Sequence, residues 1–261
     1  MNRIEQLFQS RQEGILSVYF TAGYPRLSDT VTILEALRDK GVDMAEIGIP
    51  FSDPMADGPV IQEASTRALR GGMTLSLLLE QLELMRPKID IPVILMGYLN
   101  PIMQYGFENL CRQCAARGVD GLIIPDLPFA DYMASYKSIA DQYDLKIIML
   151  ITPQTAPERI RLIDDHTSGF IYMVSSAATT GAQKTFGEET KAYFRRVGDM
   201  HLANPCLVGF GVSNKETFDA ALAYSRGAII GSYFIQLLGA MNIENAVDTL
   251  LASIAREPKR I

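Results

Sequence analysis

The chain is poor in the residues that most often carry metal and redox chemistry. Among its 261 residues are only two histidines and three cysteines. Cys111 and Cys114 form a C-x-x-C pair, but the pair falls inside a helical pattern, whereas a redox motif lies at a helix start. A zinc site would need two further ligands. We therefore interpret Cys111, Cys114 and Cys206 as ordinary thiols, and we expect no metal site.

Basic clusters and long apolar runs are also missing. The formal net charge is -6, and Lys and Arg are concentrated only in the last few residues. We therefore expect neither nucleic acid nor an anionic membrane as the main partner. No apolar run reaches the length of a transmembrane helix, and the first residues, MNRIEQLFQSRQEG, are too polar for a signal peptide. These features predict a cytoplasmic protein.

The pattern that is present alternates short apolar runs with longer segments of helical periodicity. About eight such β/α units are what a closed parallel barrel requires, and barrels of about 250 residues fold as one domain. The sequence therefore predicts a single (β/α)8 TIM barrel over residues 1–261, with an extra N-terminal helix. The predicted strands are 16–22, 44–49, 92–98, 121–125, 146–152, 169–174, 206–210 and 227–231.

Helix ends and prolines give local signals within this pattern. Several helices are followed by Gly and then a strand, as in DKGVDMAEI, ARGVDGLII and SRGAII, which predicts left-handed glycine caps. Helices are expected at 29–40, 74–85, 107–117, 131–142, 157–165, 188–197 and 215–223. The prolines after strand two are interpreted as part of a rigid loop.

Active sites of (β/α)8 barrels lie at the C-terminal ends of the strands, and this rule for barrels limits which residues are candidates for catalysis. His166 and His201 precede strands six and seven, so neither is expected to reach that face. Lys146 begins strand five, and no lysine ends strand six, which disfavours a Schiff-base mechanism.

The stretch 44–59, MAEIGIPFSDPMADGP, supplies two acids at the correct end of strand two. Alternation along the strand puts Glu46 on one face with Met44 and Gly48. Burial there would raise the pKa of Glu46 toward neutrality. Glu46 and Asp57 are the candidate catalytic pair. The alternative is an exposed strand-end Glu and a turn-forming Asp.

Two further sets of residues lie at strand ends. Tyr19, Tyr98 and Tyr172 are candidate walls for a flat apolar substrate, or else they fill the barrel. Glycine-rich turns follow the last three strands in SSAATTGAQ, GFGVS and IIGSYF, where backbone N–H groups and a short helix beginning at Ser232 could bind phosphate. The alternative is that these are ordinary turn glycines. The candidate phosphate residues are Thr180, Gly181, Gly211, Gly231 and Ser232.

Several motifs together resemble the alpha subunit of tryptophan synthase. PFSDPMADGP with the preceding Glu46 is the most specific, GFGVS and GS follow in order and spacing, and QLF, FTAGYP and YLNP extend the resemblance over essentially the whole chain. The resemblance implies a lyase that splits indole-3-glycerol phosphate, a small phosphorylated indole substrate, into indole and glyceraldehyde 3-phosphate.

The resemblance also implies roles for particular residues. Glu46 falls on the family's catalytic glutamate, and Asp57 falls on its catalytic aspartate. Glu46 would protonate C3 of the indole and take a proton from the glycerol hydroxyl, while Asp57 would stabilise the indole nitrogen as it becomes cationic. Tyr98 and Tyr172 match substrate-pocket aromatics, and Tyr19 replaces a phenylalanine. Thr180, Gly181, Gly211, Gly231 and Ser232 fall on substrate and phosphate positions.

By the same resemblance, the partner is a beta subunit that carries pyridoxal phosphate and receives indole through a tunnel, in an alpha2beta2 tetramer. This chain itself would hold no cofactor. The loops 53–59 and 100–105 would face the partner.

One departure from the family keeps alternatives open. The family's loop after strand six usually reads Ser-Arg, whereas here Ser175 is followed by SAAT. The chain could therefore be a catalytically weak activator of its partner, or another phosphate-binding barrel enzyme that acts without one. Turnover measured without a partner separates activator from enzyme.

Overall fold

Eight parallel strands close into a barrel in the order in which they occur along the chain, so that β8 pairs with β1. The computed structural model describes residues 1–83, 85–175 and 185–258. The prediction of a (β/α)8 barrel is confirmed; the assignment of residues 1–261 to one domain stays a prediction. The strands are β1 (Ile15–Thr21), β2 (Met44–Gly48), β3 (Val93–Met96), β4 (Gly121–Ile123), β5 (Lys146–Ile151), β6 (Ile171–Val174), β7 (Cys206–Gly209) and β8 (Gly227–Ile230).

The helices surround the barrel and include the predicted N-terminal helix, α1. They are α1 (Arg3–Ser10), α2 (Asp29–Asp39), α3 (Pro59–Arg70), α4 (Leu75–Gln81), α5 (Leu99–Tyr105), α6 (Phe107–Arg117), α7 (Phe129–Asp131), α8 (Lys137–Gln142), α9 (Pro157–His166), α10 (Glu188–Gly198), α11 (Lys215–Leu222), α12 (Ser232–Ala240) and α13 (Ile243–Ser253). A π-helical segment, Tyr132–Tyr136, joins α7 to α8.

Several local predictions differ from the structure. The predicted strands 92–98 and 121–125 end earlier, at Met96 and Ile123. Pro59 does not belong to the loop but begins α3, because proline's missing N–H and fixed φ suit the first position of a helix. The predicted helix 74–85 ends at Gln81. The predicted helix 131–142 is interrupted by the π-helical segment.

The glycine caps are only partly as predicted. Gly118 caps α6 with a left-handed φ of 72°, and Gly41 follows α2 with a φ of 85°. Gly227, however, lies inside β8. A side chain there would collide with the carbonyl oxygen of Ile15 on the neighbouring strand, so close backbone approach, rather than a cap, requires this glycine.

Buried aspartates close the N-terminal end of the barrel. Asp43 accepts hydrogen bonds from the backbone N of Leu16 at 2.8 Å and from Arg256 at 2.8 Å. Asp120 accepts from the backbone N of Val93 at 2.8 Å and from Arg86 at 2.6 Å. These acids have charged and backbone partners, so their role is structural. Glu46 and Asp57 instead accept hydrogen bonds from the Ser17 and Tyr98 hydroxyls.

The structure has no helix, within its described ranges, that is long and apolar enough to cross a membrane.

Candidate active site

Glu46 lies in the interior of the barrel, in the middle of β2 and not at its C-terminal end as predicted, because β2 continues to Gly48. Its backbone pairs in register with Tyr19 on β1 and Ile94 on β3, and its side chain is fully buried. Oε1 accepts a hydrogen bond from Ser17 Oγ at 2.8 Å, whereas Oε2 has no partner in the part of the chain that the structure describes. Burial raises the pKa of Glu46 from 4.5 to about 8, and the Ser17 hydrogen bond opposes that rise.

Asp57 lies in the loop between β2 and α3 and is 7% exposed. Burial raises the pKa of Asp57 from 3.8 to about 6, and the hydroxyl of Tyr98, which donates to its carboxylate, limits the rise. The same hydroxyl accepts a hydrogen bond from the backbone N of Ala56 at 3.0 Å. Tyr98 therefore fixes the acidic loop to the C-terminal end of β3.

A cavity opens at the C-terminal ends of the strands. Its walls combine one acid with aromatic, aliphatic and glycine residues, which is the composition of a site for a small, partly apolar ligand. The structure brings together here six of the predicted site residues. The lining residues are Tyr19, Asp57, Ile61, Met96, Tyr172, Phe210, Gly211, Val212, Ile229, Gly231, Ser232 and Tyr233.

The remaining predicted site residues lie elsewhere or outside the described residues. Glu46 is buried and does not line the cavity, and Tyr98 reaches the site through its bond to Asp57. Thr180 and Gly181, and with them most of the loop that departs from the family pattern, lie outside the described residues.

Glycines make room for the two tyrosine rings of the cavity. The ring of Tyr19 packs over Gly48 and lies 3.2 Å from the position that a Cβ would take at Gly231, and Tyr172 packs over Gly209 in the same way. Burial raises the pKa of both phenols well above 10.0. Tyr19 and Tyr172 therefore stay neutral at any working pH.

Phe210 is a cavity residue that the sequence analysis missed. It contacts the edge of Tyr172, with ring centroids 6.0 Å apart and an interplanar angle of 74°. Its φ of 66° is unusual for a residue with a side chain. Its place inside GFG, at the end of β7, was the available signal. Ile61, Met96, Val212, Ile229 and Tyr233 gave no signal, because apolar residues at these positions look like ordinary core.

The two glycine-rich turns at β7 and β8 border the same cavity. Gly211 has a φ of 76°, which favours glycine. Gly231 caps the N-terminus of α12, and Ser232 is the first residue of that nine-residue helix. The unpaired N–H groups of a helix start and its dipole favour a bound anion. This end of the cavity can therefore hold a phosphate group without a basic side chain.

The residues that the barrel rule set aside lie away from this cavity. Lys146 pairs with Glu5 at 2.7 Å and with Asp144 at 3.1 Å, at the N-terminal end of β5. His166 ends α9, and His201 precedes β7. Within residues 1–83, 85–175 and 185–258, no three His, Cys, Asp or Glu residues are placed to hold a metal ion. Cys111 and Cys114 are buried free thiols in α6.

A parallel barrel with a cavity bordered by Asp57 and glycine-rich turns, and with Glu46 buried in a neighbouring strand, is typical of a TIM-barrel enzyme for a small phosphorylated substrate. The family model "Tryptophan synthase alpha chain" matches residues 6–259. The chain therefore belongs to the tryptophan synthase alpha chain family. It is a carbon–carbon lyase of tryptophan biosynthesis, which cleaves indole-3-glycerol phosphate.

Individual relatives agree over nearly the whole length. The tryptophan synthase alpha chain of Parabacteroides distasonis is 68% identical over 255 residues, which cover 97% of this chain and 99% of the relative. That of Bacteroides thetaiotaomicron is 61% identical and covers 91% of this chain and 93% of the relative.

Solved structures give the same result for the fold. The alpha chain from Legionella pneumophila superposes with a TM-score of 0.86 at 33% identity, covering 97% of this chain and 96% of that one. A chain of the tryptophan synthase complex from Pyrococcus furiosus gives 0.84 at 32% identity, covering 93% and 98%. Membership of this family is consistent with a chain that holds no cofactor.

Proposed function

We propose that Glu46 and Asp57 divide the work of indole-3-glycerol phosphate cleavage, with Glu46 as general acid and base and Asp57 as the electrostatic stabiliser of the indole nitrogen. The placement of the two acids carries the proposal: Glu46 is fully buried on β2 and its Oε2 has no partner in the described part of the chain, and Asp57 lies in the wall of the cavity. Burial raises the pKa of Glu46 to about 8 and that of Asp57 to about 6. At neutral pH, Glu46 is therefore mostly protonated and Asp57 mostly ionised, as the two roles require.

The reaction then proceeds in two halves. Glu46 gives its proton to C3 of the indole, which leaves a cationic iminium nitrogen beside the Asp57 carboxylate. Glu46, now a carboxylate, takes the proton of the hydroxyl on the carbon attached to C3. The carbonyl of glyceraldehyde 3-phosphate forms, the carbon–carbon bond breaks, and its electron pair returns to the ring to neutralise the nitrogen. Indole leaves, and Glu46 is again protonated.

The cavity walls suit the two ends of this substrate. Tyr19, Tyr172 and Phe210 supply flat apolar surface for the indole ring. The phosphate would lie against the backbone N–H groups of Gly211 and the start of α12, with the Ser232 hydroxyl as a further donor. Thr180 and Gly181 are assigned to the same role by the family resemblance. Tyr98 is assigned to hold Asp57 beside the ring.

The phosphate assignment predicts that Ser232→Ala raises KM roughly tenfold and leaves kcat nearly unchanged. A hydrogen bond to a charged group on the non-reacting end of the substrate contributes equally to ground state and transition state. Steady-state kinetics of indole release measures both constants. Ser225→Ala is the matched control, because Ser225 lies beyond the other end of β8, where its hydroxyl donates to the Ala221 and Gly227 carbonyls at 2.8 Å. An unchanged KM in Ser232→Ala would remove Ser232 from the phosphate site.

The partner proposed for this chain is a beta subunit in an alpha2beta2 tetramer, in which the beta subunit carries pyridoxal phosphate and receives the indole. A relative in Pyrococcus furiosus has been solved as a tryptophan synthase complex. The two segments assigned to the contact, 53–59 and 100–105, expose two large apolar side chains. Residues 100–105, predicted as a loop, lie in α5. Met55 is 82% exposed and Met103 is 58% exposed. Both side chains are therefore available for contact with a partner.

Indole release by the purified chain, with and without a pyridoxal phosphate-loaded beta subunit, tests the function and the partner together. We expect release in both cases and faster release with the partner. Met55→Ser with Met103→Ser should raise the beta subunit concentration for half-maximal stimulation by roughly tenfold, with unchanged turnover alone. Met133→Ser, at a side chain 38% exposed on the π-helical segment, is the control. A chain that releases no indole alone but activates the beta subunit would be the weak activator.

A further inference from the structure

A buried serine shares the barrel interior with the proposed general acid. Ser17 lies on β1, and both Ser17 and Glu46 are fully buried. The Ser17 hydroxyl donates to Glu46 Oε1 at 2.8 Å. The residues next to Ser17 in β1 are the apolar Leu16 and Val18. A lone buried hydroxyl in such a strand costs free energy unless it has a partner, and Glu46 is the partner it has.

We propose that Ser17 is a positioning residue of the cleavage reaction, which holds Oε1 of Glu46 so that Oε2 is the oxygen that gives and takes the proton. This inference rests on the role proposed above for Glu46. Ser17 does not line the cavity and touches no position assigned to the substrate. It acts only through Glu46.

The hydrogen-bond pattern of the carboxyl group carries the inference. Glu46 Oε1 is the one acceptor that the described part of the chain offers to the Ser17 hydroxyl, so the hydroxyl donates to Oε1 and the proton of the neutral acid sits on Oε2. Oε2 has no hydrogen-bond partner in the described part of the chain. The terminal torsion of a glutamate is broad and two-fold, so a carboxyl group without such an anchor exchanges its two oxygens freely. The Ser17 bond selects one of the two arrangements.

The register of the strands determines where the anchor lies. Tyr19 pairs with Glu46, and Ser17 pairs with Met44. Ser17 is therefore one inward-facing position closer to the N-terminal end of the barrel than Tyr19, whose ring lines the cavity. The bond draws Oε1 toward the closed end of the barrel. A fixed donor on a strand holds this geometry more closely than a donor on a loop would.

The same bond matters for the second half of the reaction. In the described part of the chain, Tyr19 from β1 and Tyr172 from β6 interact with the charge of Glu46, and both phenols are neutral. The Asp57 carboxylate interacts with the same two phenols from the loop after β2. None of these groups offers positive charge to the Glu46 carboxylate. The Ser17 hydroxyl is thus the donor that favours the ionised form, which must exist between the two proton transfers.

Three substitutions at Ser17, each made in the full chain, test the proposal through the pH dependence of indole release. In Ser17→Ala, the alkaline limb of the kcat profile should move up by about one pH unit, because the ionised form loses its donor. kcat should fall roughly tenfold with KM within about twofold of native. Ser17→Thr keeps a hydroxyl, whereas Ser17→Val has the shape of threonine without the hydroxyl. The alkaline limb should therefore stay at its native position in Ser17→Thr and should move in Ser17→Val as it does in Ser17→Ala.

The outcomes separate this proposal from the one on which it rests. An unmoved alkaline limb in both the Ala and Val variants, or equal shifts in Thr and Val, would overturn the positioning role. If Glu46→Gln itself kept native turnover, the proposed function would be wrong instead. The carboxyl infrared band that disappears in Glu46→Gln gives a second readout, since its titration midpoint should rise in Ser17→Ala. Ser17→Ala removes a single atom, and thermal unfolding verifies that the variant is folded.

Discussion

Glu46→Gln is expected to lower kcat for indole release by roughly 10³-fold. The amide has the size of the carboxyl group, but it can neither give a proton to C3 nor take one from the hydroxyl, and each such transfer contributes on the order of 10²-fold or more. KM should change little, because the proton transfers by Glu46 belong to the transition state rather than to substrate binding. Single-turnover and steady-state measurements of indole release determine both constants.

The pH dependence and the stability of this variant are expected to follow from the same burial. The active form is protonated, so native kcat should fall as the pH rises through about 8, the pKa of Glu46. The folded pKa lies above the unfolded value, so the native protein loses stability as the pH rises from about 4.5 to about 8. Glu46→Gln does not ionise, so its unfolding free energy should not show that loss, and the inactive variant should stay folded.

Glu63→Gln provides the control for Glu46→Gln. Glu63 is exposed on α3, close in sequence to the same loop, and its loss should change neither kcat nor stability appreciably. Turnover of Glu46→Gln within about tenfold of native would show that another group transfers the proton.

Asp57→Asn is expected to lower kcat by roughly 10²-fold with a small change in KM. The amide leaves the iminium nitrogen without an opposing charge beside a position that is only 7% exposed, where such stabilisation is a large part of catalysis. The active form of Asp57 is ionised, so native kcat should rise with pH through about 6, the pKa of its carboxyl group. This acid limb should disappear in Asp57→Asn.

Two controls support that measurement. Asp53→Asn changes a carboxylate that is exposed in the same loop, and in the absence of partner it should leave kcat unchanged. The phosphate of the substrate also ionises near pH 6, so the binding of glycerol 3-phosphate is followed over the same pH range. An acid limb that persists in Asp57→Asn and follows phosphate binding would assign it to the substrate. The two limbs are macroscopic values if the acids interact.

Much of the fold could be predicted because its signals are local. The alternation of apolar runs and helical patterns determined the number of β/α units, since strand and helix periodicities are read over a few residues. The position of Lys146 at the start of its strand followed in the same way. The prediction was wrong at Pro59, because proline suits both a loop and the start of a helix. It was also wrong at Gly227, where the close approach of the neighbouring strand, and not a helix cap, requires glycine.

The sequence by itself determined that Glu46 lies inside a strand, that Asp57 follows it and that glycines end the last strands, because each is a property of a short stretch. Only the tertiary structure decided what these residues touch. Closure of the barrel sets the register that brings Ser17 to Glu46 across 29 positions of the chain. It also turns Tyr98 toward Asp57 and puts Phe210 against Tyr172. Such contacts depend on strand pairing between distant segments, and no local pattern encodes that pairing.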